Sequence, residues 1–317
     1  MTQHRVEFGI YVPQVGFGYD EIRDRALLCE ELGFHSLWFM DHLYPPEMPK
    51  LPSFEAWTLA TTILAQTSRL RVGHLVLSNT FRHPALLAKM ATSLDVISGG
   101  RLDLGIGSGS YAPEHERAGL AYARPRVRAA ELGEALEIIT AMFRDPLTSF
   151  TGEHYRLSDM PNLPAPLQHP RPPIHIGGGG ERFTLPLVAR YADVWNCPTY
   201  ALGEFERKRD VVARECAAVG RDPGDIRLSA EAVMVLVKHR SELEQASSLA
   251  ERRFGGPGWG LHEGGYIGTP EDLIRRIGEN VARGVTLFVF FTHDRAAPDT
   301  LRLFASEVMP AFQNGCP

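Results

Sequence analysis

Cysteine is scarce in this chain: Cys29, Cys197, Cys216 and Cys316 are the four among 317 residues, and no two form a CxxC pair. Scattered in that way they build neither a disulfide frame nor a zinc site. Free thiols in a reducing compartment, the cytoplasm, are expected. Long apolar runs are missing too, so no membrane span is expected. Met1 to Arg5 leads towards a strand without the pattern of a signal peptide. The sequence has no basic run and no basic-aromatic patch, and its formal charge is -5, which argues against nucleic acid as a partner. A short-period repeat is absent as well. What is present is ordinary globular composition, 44% hydrophobic and 22% charged. The length suits two average domains or one α/β barrel.

Apolar strands alternate with helical stretches along the whole chain. Strand patterns fall at Val6 to Val12, Ser36 to Met40, Leu70 to Leu77, Arg101 to Ile106, Ile174 to Ile176, Ala192 to Asn196, Ile226 to Val237 and Val285 to Phe291. Helical spacing falls between them, for example over Tyr19 to Leu32 with Gly33 at the stop, and over Pro84 to Ile97 with proline at the start. Such alternation demands parallel strands covered by helices. Eight units favour an α/β fold of one domain over residues 1–317, a (β/α)8 TIM barrel; a doubly wound open sheet is the second choice. The proline-rich residues 145–172 break the rhythm and read as an insertion with a hairpin near Phe150 to Tyr155. That insertion and the glycine run Gly255 to Gly260 are candidate lids.

A barrel places its functional residues just after the strand ends. There the sequence puts Asp41-His42, Ser78-Asn79-Thr80, Ser108-Gly109-Ser110, Asn196-Cys197 and the loop Gly177-Gly178-Gly179-Gly180-Glu181-Arg182. Glycines between a strand and a helix leave backbone N–H groups free beside the positive end of the helix dipole, a place that attracts phosphate; the same glycines also serve a βα turn that needs only their dihedrals. His42 has the chemistry of a general acid or base, and a surface loop histidine is the plainer reading. Asp41, His42, His83 and His293 lack metal-ligand spacing, so no metal is expected. Gly105 to Ser110 is a poor dinucleotide fingerprint, because no helix starts at once and no acidic residue follows at the required distance.

Several of these stretches also match a known family. Trp38-Phe39-Met40-Asp41-His42, Thr80-Phe81-Arg82-His83-Pro84, Leu94 to Gly109, Gly152-Glu153-His154-Tyr155 and Pro173 to Asn196 resemble, in order, the motifs of the bacterial-luciferase-like superfamily. The Asp41-His42 pair, the glycine loop and Ala189 to Asn196 are most similar to its F420-dependent branch. The resemblance implies a (β/α)8 barrel that binds coenzyme F420 or, alternatively, FMN. It implies an oxidoreductase that transfers hydride between the deazaflavin ring and a small organic substrate, with His42 as acid or base and Asp41 at the ring's polar edge. It further implies a non-prolyl cis peptide at Leu75-Val76 behind the ring, with Ser78 close by. Ser108 and Gly109 are expected on the ring or ribityl chain, and Gly178, Gly179 and Gly180 on the phosphate, with Cys197 near. A homodimer is expected as well. Members that oxidise sugar phosphates carry a glutamate where this chain has Ser110, with Glu114 and Glu116 further along a longer loop. Tyr111 and Trp259, both in loops, are candidate substrate-pocket residues, whereas Trp57 and Trp195 are expected in the core. The rival readings are an FMN-dependent, luciferase-like monooxygenase using O2 and a binding protein without a cofactor.

Overall fold

The computed structural model describes residues 5–256 and 259–313. Pro257 and Gly258 of the glycine run, and Cys316, lie outside them. Eight parallel strands close into a barrel: β1 Glu7–Tyr11, β2 Ser36–Phe39, β3 Arg71–His74, β4 Leu102–Gly107, β5 Ile174–Gly177, β6 Val194–Cys197, β7 Arg227–Leu236 and β8 Val285–Thr292. Each pairs with the next, and β8 returns to β1 in the register Glu7↔Leu287 to Ile10↔Phe290, which closes the ring. The helices that matter below are α1 Tyr19–Leu32, α2 Ala56–Gln66, α3 Pro84–Ser98, α4 Ala112–Ala118, α5 Pro125–Arg144, α6 Thr184–Tyr191, α7 Phe205–Ala218 and α8 Leu243–Phe254. Gly33 and Gly99 end α1 and α3 in left-handed conformation, φ 81° and 69°, where a β-carbon is strained.

Strand alternation sorts the residues into two layers. Phe8, Ile10, Leu37, Phe39, Val72, Leu104, Ile106, Ile176, Trp195 and Phe290 belong to the large cluster between strands and helices. The inward set is different in kind. At its base Arg71 grips Asp103 at 2.8 and 3.0 Å, and His175 adds a contact at 3.3 Å. The guanidinium and the imidazole beside Asp103 hold its carboxyl well below the usual carboxylate range, against full burial. Trp38 fills the middle. A β-carbon on Gly9 would come within 2.7 Å of its indole nitrogen, and one on Gly73 within 2.5 Å of its ring, so these two glycines make the space for it.

Three expectations change. The third strand is not continuous: it stops at His74 and resumes as the short strand Leu77–Ser78, with the Leu75-Val76 peptide cis between them, where the resemblance puts it. The break is accommodated by glycine, because β-carbons on Gly107 and Gly177 would lie 2.7 and 3.0 Å from Val76. The loop after β4 contains a helix, α4. Residues 145–172 form the expected hairpin, strands Leu147–Thr151 and Arg156–Pro161, but not a lid. Asn162 ties it to Thr92 and to the Met142 carbonyl at 2.9 and 2.7 Å, and Asp95 accepts the Leu167 N–H at 2.7 Å. These bonds hold it against α3 and α5, and it lines none of the cleft described next.

Candidate active site

At the carboxyl ends of the strands the barrel opens into a cleft of about 500 Å³. Asp41, His42, Leu75, Val76, Ser78, Ser108, Gly109, Gly178, Gly179 and Gly180 all line it, residues drawn from four different strand ends. Tyr11, Met40, Asn196, Tyr200 and Glu231 complete much of its wall. Cys197 does not take part. Its neighbour Asn196 points inward, bonded to Ser229 and Glu231 at 3.0 and 2.7 Å, so alternation turns Cys197 out among the helix-facing core. There burial pushes its thiol up to about 12. Trp259 is also displaced from its expected place. It packs on Phe254 and Phe291, ring centroids 5.0 and 5.3 Å away, and only Phe291 reaches the cleft wall, through Tyr11 at 3.9 Å. Tyr111 stands at the mouth: its ring meets His42 edge-on at 6.2 Å and its hydroxyl donates to Glu47 at 3.0 Å. Trp57 and Trp195 are buried, as expected.

Asp41 and His42 point apart. The Asp41 carboxylate receives both guanidinium nitrogens of Arg82 at 2.7 and 2.9 Å and the Ser78 N–H at 2.8 Å. It therefore fixes the chain after the broken third strand, and burial raises its carboxyl pKa against the opposing pull of Arg82 and the Ser78 N–H. His42 is held by a residue that the sequence offered only as a neighbour in a loop. Glu114, on α4 and almost wholly buried, lies 2.9 Å from His42 Nδ1 and accepts the Leu43 N–H at 3.0 Å. A carboxylate only accepts, so Nδ1 carries a hydrogen, and in the neutral ring Nε2 holds the lone pair. Glu231 is of another type. Among the described residues its carboxylate bonds to the Asn196 side chain alone, and burial raises its carboxyl to about 7.

The glycine loop has the form of an anion cradle. Gly178 sits at φ 124°, its N–H bonded to Asn196 O at 3.2 Å. Among the described residues, the N–H groups of Gly179, Gly180, Glu181 and Arg182 donate no hydrogen bond, and they precede the first turn of α6. A β-carbon on Gly179 would press to 3.2 Å on Ala201 and on Lys208. Lys208, on α7 and largely buried, donates to Gly179 O at 2.9 Å behind the loop, and its ammonium also lies 3.5 and 3.3 Å from the carboxylates of Glu181 and Glu204. Sequence reasoning missed Lys208, because nothing in a helix of mixed charge marks the one lysine that folds back.

The family model described as luciferase-like monooxygenase matches residues 1–258. Among curated proteins, the chain is 32% identical over 179 residues to an F420-dependent glucose-6-phosphate dehydrogenase of Amycolatopsis mediterranei, covering 56% of this chain and 51% of that protein. It is 28% identical over 229 residues to an F420-dependent hydroxymycolic acid dehydrogenase of Mycobacterium tuberculosis, covering 72% and 62%. The chain thus spans about half the length of the first curated relatives it matches. Among solved structures, an F420-dependent secondary alcohol dehydrogenase with an F420-acetone adduct superposes with a TM-score of 0.83 at 18% identity, over 98% of this chain and 100% of that one. A coenzyme F420-dependent tetrahydromethanopterin reductase of Methanopyrus kandleri does so at 0.78 and 19%, over 97% and 99%. These structural likenesses establish the shared barrel. Among the described residues, no helix is long and apolar enough to cross a membrane.

Proposed function

The chain belongs to the luciferase-like monooxygenase family, and on that premise we propose that it is an oxidoreductase that uses coenzyme F420, with His42 exchanging a proton with a small organic substrate. The observation that carries this reading is that a histidine with a fixed tautomer and a glycine cradle for an anion line one cleft. The F420-dependent relatives favour the deazaflavin over FMN.

When bound, the coenzyme would supply a ring carbon that accepts or returns a hydride. The rest falls to residues of this chain. Gly179, Gly180 and the following amides would hold the phosphate, with Lys208 neutralising part of its charge. Leu75 and Val76, on the bulge raised over Gly107 and Gly177, would back the ring, and Tyr11 and Met40 floor the space. At the mouth, His42 Nε2 takes the hydroxyl proton as an alcohol is oxidised, or gives it back as a carbonyl is reduced. Glu114 stabilises the imidazolium formed in between. The substrate is proposed as a hydroxyl or carbonyl compound.

Titrating the protein separately with F420 and with FMN tests this. F420 binding at micromolar concentration, with His42→Ala still binding but losing turnover, is the expected result. FMN binding with oxygen consumption under a supplied reductase would replace the reading with a monooxygenase, and failure of F420 to bind above background would refute it.

A further inference from the structure

His115 follows Glu114 on α4 and has no part in the chemistry above. It is fully buried, between the rings of Phe81 and Tyr122 at 4.8 and 4.6 Å. Its Nδ1 lies 2.8 Å from the Tyr111 carbonyl. A carbonyl only accepts, so Nδ1 carries a hydrogen. Its Nε2 lies 2.6 Å from Thr80 Oγ1, which lies 2.6 Å from Ser78 Oγ. Among the described residues, no carboxylate bonds to His115, and the Arg128 guanidinium sits 4.0 Å over the Tyr122 ring. A second proton would leave a buried cation with no carboxylate bonded to it, an arrangement that burial disfavours.

For a neutral ring with its hydrogen on Nδ1, the direction of every hydrogen in this chain of contacts follows. Nε2 holds a lone pair, so the Thr80 hydroxyl donates to it. Thr80 has no hydrogen left, so the Ser78 hydroxyl donates to Thr80. Ser78 spends its one hydrogen inward while it lines the cleft, and its backbone N–H is already taken by Asp41. We infer that His115, acting through Thr80, fixes Ser78 Oγ as a hydrogen-bond acceptor at the cleft wall, a positioning device that admits an N–H or O–H of the ligand and turns away a lone pair. This rests on reading the cleft as the ligand site. Ring N–H and substrate O–H share the chemistry, and the measurements separate them.

Nitrogen-15 histidine NMR of the ligand-free protein is the first test, and it needs no cofactor. A neutral His115 with hydrogen on Nδ1 is expected; hydrogen on Nε2, alone or with Nδ1, overturns the inference. Second, Ser78→Ala removes the acceptor and Thr80→Val lets Ser78 turn its hydrogen outward. If the donor is a ring N–H, the Kd for F420, read by its fluorescence, rises about tenfold in each variant and no further in the double variant. If the donor belongs to the substrate, Kd holds and KM rises by that factor. Thr80→Ser is expected to restore the wild-type value. A folded Thr80→Val protein with both Kd and KM within twofold of wild type would overturn the assignment even where F420 binding itself is sound.

Discussion

Replacing Glu114 with glutamine tests how the proton site is organised. The carboxylate accepts twice, from His42 Nδ1 at 2.9 Å and from the Leu43 N–H at 3.0 Å. A carboxamide of the same length has one acceptor oxygen. If that oxygen stays on Leu43, the amide nitrogen faces His42, and Nδ1 must become the acceptor; the hydrogen then moves to Nε2, and the base faces away from the cleft. If the oxygen turns to His42, the amide nitrogen opposes the Leu43 N–H. In either case the charge that stabilises the imidazolium is gone. A hydrogen bond to a charged group contributes about 1.5–3 kcal/mol and a neutral one about 1. The loss appears where the imidazolium forms, so that difference, about 0.5–2 kcal/mol, lowers kcat roughly 2- to 30-fold while KM barely moves. The assay is single-turnover bleaching of F420 absorbance with an alcohol that turns over. Glu114→Gln within twofold of wild type would refute the dyad. So would a Glu114→Gln/His42→Ala double variant distinctly slower than His42→Ala, because Glu114 is argued to act only through His42.

Glu231 makes stability depend on pH. Its folded value, about 7, lies above the ordinary 4.5, so the folded state holds a proton that the unfolded chain has released. Stability therefore falls as pH rises from about 4.5 to 7, by about 3 kcal/mol, and is flat above. Glu231→Gln should abolish that slope in urea titrations; an unchanged slope would point to another group. Arg82→Met leaves the Asp41 carboxylate buried without its bidentate partner and should cost about 3–5 kcal/mol, measured by denaturation, with Arg82→Lys recovering only part. Lys208→Met should weaken F420 binding about tenfold and flatten its salt dependence, seen in fluorescence titrations at two ionic strengths. Equal affinity and equal salt response would remove Lys208 from the anion site.

The misplaced residues share a cause. Cys197 and Asn196 are neighbours at the end of one strand, and proximity in sequence makes both plausible at the cleft. The strand's alternation gives the cleft to Asn196, and the choice depends on which face is inward. Trp259 looks like a pocket aromatic because it sits in a loop, yet Phe254 and Phe291 offer it apolar area that the cleft does not. Lys208 was invisible as a site residue because it comes from a segment that reads as an ordinary helix, while Arg82, after the third strand, and Glu231, within the seventh, were legible in place but not in partner. Only closure of the ring brings them under the loops.

The order of strands and helices, the glycines that stop them and the polar residues just beyond the strand ends follow from local pattern alone, since hydrophobic period and backbone freedom are properties of neighbouring residues. The motifs also carried the family and the place of the cis peptide. Which partner each buried carboxylate takes was decided only when the barrel closed. Asp41 went to Arg82, 41 residues on, and Glu114, 72 residues from His42, became its partner. A buried charge takes the nearest partner in space, and distance along the chain does not encode that.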